Sequence, residues 1–163
     1  MLNEKIGNEK QSLAYMSSNL TEYNRMYKEF NQIYHEMAQK MGISNSVFDI
    51  LYSICELGDG CRQKDICDAN FIPKQTVNSA IRVLEKQGVL NLAPGKGREM
   101  NILLTETGRK QLEQVIYPIV EMENNAFSIL GEEEAKQLLM LQQKYMEALR
   151  EQFQALDVGG NET

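Results

Sequence analysis

The chain has 163 residues, of which 42% are apolar and 25% charged, with a formal charge of −6 at pH 7. That length fits one domain or a small domain in a larger scaffold, and so much apolar side chain excludes a chain disordered throughout. No apolar run approaches the roughly 20 residues that cross a bilayer, and "MLNEKIGNEKQ" lacks the apolar core of a signal peptide, so a cytoplasmic chain with no membrane partner is expected.

The first predicted element is a long helix from about Glu9 to Met41. Leu13, Met16, Leu20, Tyr23, Tyr27, Phe30, Tyr34, Met37 and Met41 follow one another at steps of 3 and 4, with no Pro or Gly between them. A single helix of about 30 residues would be about 45 Å long, and such a heptad stripe calls for packing on another element or chain. Gly42 supplies the stop. His35, the only histidine, stands alone on this helix with no second ligand at metal-binding spacing, so no metal or cofactor is expected.

Ser44 or Asn45 caps a second helix through Leu57, with Val47, Ile50, Leu51 and Ile54 as its buried stripe. "GDG" at 58–60 ends it. Cys55, Cys61 and Cys67 are odd in number and match no zinc-ligand pair, so free thiols are expected. Cys61, beside a loop glycine, is the best candidate for a reactive one. A short third helix at about Gln63 to Ala69 buries Ile66, and "NFIP" turns the chain into a fourth.

That fourth helix, "PKQTVNSAIRVLEKQGVL", starts at Pro73, where a missing N–H costs nothing, and ends at Gly88. Val77, Ala80, Ile81 and Leu84 share one face of the helical wheel. Gln75, Asn78, Ser79, Arg82 and Lys86 take the opposite one, with Lys74 at its margin. Asn and Gln pair with adenine, and Arg with guanine or a phosphate, so this edge suits DNA. The acidity of the whole chain does not oppose that reading. Residues 1–59 hold 5 basic and 8 acidic side chains, residues 60–110 hold 9 and 5, and residues 111–163 hold 3 and 10. Screening confines charge effects to about 10 Å at 0.1 M salt, so the local excess of cations decides what this surface attracts.

Residues 89–104 read as a hairpin with Pro94, Gly95 and Gly97 at its tip and Met100, Ile102 and Leu104 alternating along the return strand. Lys96 and Arg98 project from that tip. Arg62, Gln63 and Lys64 open the third helix, where side chains and backbone N–H groups meet phosphates. Thr105 caps a fifth helix to about Leu130, which Pro118 kinks. Gly131 separates it from a sixth, Glu132 to about Leu156, and the tail 157–163 is expected to be disordered.

Helix, helix, turn, helix and a basic hairpin tip is the order of a winged helix-turn-helix. "RQKDICDANFIPKQTVNSAIRVLEKQGVL" followed by "GREMNILLTETG" resembles the MarR family of winged helix-turn-helix transcriptional regulators. The similarity is densest over about residues 44–110, and the flanking long helices match the layout. The resemblance implies a mainly α fold with a small β-hairpin wing. It also implies three parts: an N-terminal dimerisation helix (1–43), the DNA-binding region (44–104) and C-terminal dimerisation helices (105–163).

The same resemblance implies a homodimer, closed by Leu13, Met16, Leu20 and Tyr23 at one end of the chain and Leu138, Leu141, Tyr145 and Leu149 at the other. Its partner would be double-stranded DNA with a pseudo-palindromic operator, often repressed until a small anionic or phenolic effector binds. Thr76 belongs to the matched recognition-helix core, and Arg98 falls at the family's wing arginine. Lys96 stands where the family usually has an acid, which departs from its wing-bracing ion pair. The branch that senses peroxide uses a cysteine early in the first helix, where this chain has "LAYMSSN". A winged-helix or coiled-coil protein-interaction module without DNA binding is the alternative. An enzyme fits poorly, because no nucleophile–base set, paired carboxylates or phosphate loop is present.

Overall fold

Residues 14–97 and 99–156 are described by a computed structural model of the chain, which divides into two units, Met1–Asn45 and Ser46–Thr163. In the first unit, helix α1 spans Ser18–Lys40. It starts later than the heptad spacing predicts. Ser17 has an extended backbone, and its Oγ accepts the Leu20 N–H at 3.1 Å. A hydroxyl thus takes one of the donors that every helix start leaves unsatisfied, which fixes the boundary there. Met16 therefore precedes the helix, and Leu13 lies outside the described residues. Gly42, at φ 71°, turns the chain at the far end as expected. His35 joins Asn45 through Nδ1 and Gln39 through Nε2, tying the last turns of the helix to the chain beyond it.

The second unit begins within α2 (Asn45–Leu57) and continues with α3 (Gln63–Asn70) and α4 (Lys74–Lys86). Strands β1 (Leu90–Pro94) and β2 (Met100–Leu104) follow, then α5 (Glu106–Gln111), a π-helical turn (Leu112–Ile116) and α6 (Tyr117–Ala155). The predicted apolar stripes meet in one core. Ile50, Leu51 and Ile54 of α2, Ile66 of α3, Ile81 and Leu84 of α4, and Leu90 and Ile102 of the hairpin are all buried.

Strands β1 and β2 are antiparallel, with Leu90 opposite Leu104 and Pro94 opposite Met100. Pro94 therefore ends a strand rather than forming the tip. The loop after α2 runs along the other edge of β2. Gly60 N–H donates to the Ile102 carbonyl at 2.8 Å, Ile102 N–H donates to the Cys61 carbonyl at 2.9 Å, and Arg62 bridges to Asn101. The return strand is thus held on both sides, and the hairpin is joined through its backbone to the start of α3.

Thr105 caps α5 as read, accepting the Gly108 N–H at 3.0 Å. The expected kink takes another form. Pro118 sits in the first turn of α6, and the turn before it widens to π geometry. Proline has no N–H to donate and its ring crowds the carbonyl four residues back, so a wider turn absorbs what would otherwise bend the helix. Gly131, at φ 76° and ψ 168°, breaks α6 where the sequence predicts a separation. The tail 157–163 lies outside the described residues. Among the described residues, no helix is long and apolar enough to cross a membrane.

Candidate nucleic-acid interface

Helix α4 separates its two faces as the wheel predicts. Val77, Ala80, Ile81 and Leu84 are buried, while Lys74, Gln75, Thr76, Ser79, Arg82 and Lys86 are exposed. The buried residues recur every three or four positions, so core packing fixes the helix about its own axis and aims the polar edge outward. Pro73 supplies the N-cap. The preceding turn is set by Phe71 in the left-handed region at φ 54°, and Asn70 donates to the Ile66 carbonyl at 3.1 Å and to Ser53 Oγ at 2.8 Å. Those two bonds lock the end of α3 and so the entry into α4.

Two residues of the edge have constrained chemistry. Ser79 Oγ donates to the Gln75 carbonyl at 2.8 Å, so its hydroxyl keeps only acceptor capacity toward a ligand. Asn78 is half-buried, and its Oδ1 is shielded from solvent without a hydrogen-bond partner. An amide oxygen in that state costs about 1–3 kcal/mol, which a partner donor would relieve. Lys64, Lys74, Arg82, Lys86 and Lys96 are all exposed, and none is ion-paired to another described residue. The hairpin tip is closed by the Gly95 N–H donating to the Glu99 carbonyl at 2.9 Å, which presents Lys96 at the turn. Arg98 lies outside the described residues.

Arg62 and Gln63 are half-buried, unlike their neighbour Lys64. The Arg62 guanidinium is taken up by carboxylates, with Nε donating to Asp65 Oδ2 at 2.9 Å and Nη1 to Glu99 Oε1 at 2.9 Å. Asp65 also accepts the Arg62 backbone N–H at 2.9 Å, the N-terminal capping arrangement of α3. Hydrogen bonding from the Arg62 side chain holds the Asp65 carboxyl down at about 2. A depressed carboxylate pKa adds stability above the ordinary carboxylate range and loses it as pH falls through about 2, so this contact is complete at neutral pH. Neither Asp65 nor Glu99 is among the candidate residues that the sequence marks. The first was legible as an acid at the third position of a helix; the second, far along the chain, was not.

Cys61 does not fit the role of a reactive thiol. It is buried, its backbone is paired to β2, and burial together with Asp65 and Asp59 pushes its thiol up to about 11. Reactivity follows the thiolate, which this site disfavours. Among the described residues, no group of three or more His, Cys, Asp or Glu is placed to hold a metal ion. A cleft of about 270 Å³ lies between α2, α5 and the start of α6, lined by Ile54, Asp59, Arg109 and Tyr117 among others. Its one guanidinium, on Arg109, is paired to Asp59 at 2.8 Å.

The MarR family model matches residues 41–99, the stretch from the end of α1 through the hairpin tip. A MarR family regulator from Neisseria meningitidis is 20% identical, with 85% of this chain and 99% of that one covered and a TM-score of 0.74. MepR from S. aureus, solved as a complex with DNA, is 27% identical over 83% of this chain and 99% of its own, with a TM-score of 0.62. A MarR protein from Peptoclostridium difficile is 21% identical, covering 89% and 99%, with a TM-score of 0.64. No curated protein matches the sequence at a significant level.

Proposed function

We propose that the chain is a member of the MarR family of winged helix-turn-helix transcriptional regulators, and that it acts as a homodimeric, sequence-specific DNA-binding repressor released from its operator by a small effector. The observation that carries the DNA-binding reading is the edge of α4. Lys74, Gln75, Thr76, Ser79 and Arg82 are exposed on a helix whose other face is locked into the core, and neither cation is ion-paired to another described residue. Such a helix enters a major groove by its N-terminal end, which puts Lys74, Gln75 and Asn78 nearest the bases. Gln75 suits adenine, as does Asn78 once its side chain turns to bring the shielded Oδ1 to the base, Arg82 suits guanine or a phosphate, and Lys64, Lys86, Lys96 and Arg98 suit phosphates. The DNA complex of MepR, at 27% identity, supports the same use of the fold.

The homodimer is supported by apolar side chains exposed on each end of the chain. Leu138, Leu139, Met140, Leu141, Leu149 and Phe153 surround the second half of α6, and Leu20, Tyr27 and Phe30 line α1. A helix that is apolar around most of its circumference is one meant to be covered. With two copies related by a two-fold axis, each recognition helix takes one half-site, so the operator is pseudo-palindromic, with half-sites about 34–36 Å or a multiple of that apart. Release by a small anionic or phenolic molecule completes the proposal.

The test is to select bound fragments from the source genome and measure affinity for the recovered duplex against salt. Binding is expected to fall by about 0.9 log units per phosphate contact for each log unit of salt. Arg82→Ala should cost about 1–3 kcal/mol, and Asn78→Ala should lose discrimination at one base position by a similar amount. Unchanged affinity in an Arg82→Glu, Lys74→Glu double variant would sink the docking.

A further inference from the structure

Charge and position at the start of α3 suggest that Arg62 anchors a phosphate, but its surroundings fit another task. Three of the five guanidinium N–H donors are committed to carboxylates: Nε and Nη2 to Asp65, and Nη1 to Glu99 at 2.9 Å. One positive charge faces two negative ones, so the cluster as a whole does not attract a polyanion. Asp65 belongs to the same helix start, whereas Glu99 is 37 residues away on the far side of the hairpin tip. The Glu99 carbonyl closes that tip by accepting the Gly95 N–H, and the next strand residue but one, Asn101, bridges back to Arg62. Beside that backbone bridge, the Arg62 side chain ties the tip that carries Lys96 to the start of α3 through Glu99.

We propose that Arg62 is a positioning residue for the wing: Asp65 orients its guanidinium, and the guanidinium holds Glu99, so that the hairpin tip is presented to DNA in a fixed attitude. The assignment rests on the DNA-binding reading above. The pair braces the wing with cation and acid on different elements, Arg62 at the start of α3 and Glu99 beside the hairpin tip. Both partners are 41% exposed, so the pair adds little to global stability and its loss appears locally. Charge alone makes the opposite forecast to positioning. Removing the acid of Glu99 beside a basic tip should strengthen attraction to DNA, whereas unfastening the tip should weaken specific binding.

The experiment compares the full chain with Arg62→Lys, Arg62→Gln, Glu99→Gln and Glu99→Asp. In the absence of DNA, amide hydrogen exchange over residues 92–102 should quicken in Arg62→Gln and Glu99→Gln, with α2 and α4 unchanged and the melting temperature within about 3 °C of the parent. Unchanged exchange there would overturn the clamp. On a duplex recovered by genomic selection, Glu99→Gln and Arg62→Lys should each bind roughly tenfold more weakly at the parent's salt slope, and Glu99→Asp should recover most of the loss. Tighter binding by Glu99→Gln, or parent-like binding by Arg62→Lys with a shallower slope in Arg62→Gln, would mark a phosphate anchor and overturn the assignment. Should the parent chain bind no duplex DNA while its wing still loosens in the variants, the DNA-binding reading fails and the clamp itself stands.

Discussion

At Gly108 the absence of one carbon lets α5 close on the hairpin. A Cβ there would fall well inside van der Waals contact of the Val89 carbonyl oxygen and 3.1 Å from Leu104 Cδ2. That carbonyl already accepts the Thr105 N–H at 3.0 Å, and Thr105 Oγ1 donates to the Gly88 carbonyl at 2.6 Å while accepting the Gly108 N–H. "LTETG" is thus one device: a buried leucine, a threonine that caps α5 and grips the end of the preceding loop, and a glycine that lets the two backbones touch. Since the nearest atom is backbone, no side chain can move aside. Gly108→Ala should cost about 2 kcal/mol, as other overpacked sites do, and lower the melting temperature by roughly 6 °C. Calorimetry checks it, and an unchanged transition would mean that α5 does not dock so closely.

Among the elements, boundaries separate what local chemistry decides from what the rest of the fold decides. Ser17 stops α1 by a single side-chain bond, so Ser17→Ala should fray the first turn at a cost of about 1 kcal/mol, seen as faster amide exchange over residues 18–22 with α4 unaffected. The apolar stripes of α2 and α4, the Thr105 cap and the Gly131 break were legible because each depends on residues within a turn or two of one another. The polar edge of α4 was legible for the same reason: it is the complement of a buried stripe. The heptad spacing predicts an earlier start for α1 because it continues through Met16, ahead of the Ser17 cap where the helix begins. The sequence predicts a kink at Pro118 where the structure has a π turn, because composition identifies the disturbance and not how the backbone absorbs it. The pairing of Arg62 with Glu99 is not legible in the sequence, because the two are 37 residues apart, beyond any local pattern. The burial of Cys61 is hidden from the sequence for a related reason, since its pairing with β2 arises only once the loop has folded along that strand.

For the molecule as a whole, the segregation of charge and the exposed apolar helices lead to one requirement. Cations gather in residues 60–110, and acids in the C-terminal third, where α6 also exposes leucines at Leu138, Leu141 and Leu149. An acidic segment repels DNA, so its place is away from the duplex, and its apolar side chains need a cover that DNA cannot provide. In the proposed dimer a second copy would supply that cover and also double the recognition helices, converting two weak half-site contacts into one strong bivalent one. Leu138, Leu141, Tyr145 and Leu149 follow at steps of 3, 4 and 4, so charges at two of these positions would strike the same stripe. The parent chain is expected to sediment as a pair of 18.7 kDa chains, and Leu141→Glu with Leu149→Glu as single ones. Because these leucines are exposed within one chain, the double variant should keep the helicity of the parent and the fold of its winged region. Its affinity for a full operator should fall at least tenfold, while its affinity for a half-site duplex should stay at the parent's value. Equal loss on both duplexes would mean that the helix supports the winged region directly, and a monomeric parent at micromolar concentration would remove the dimer from the proposal.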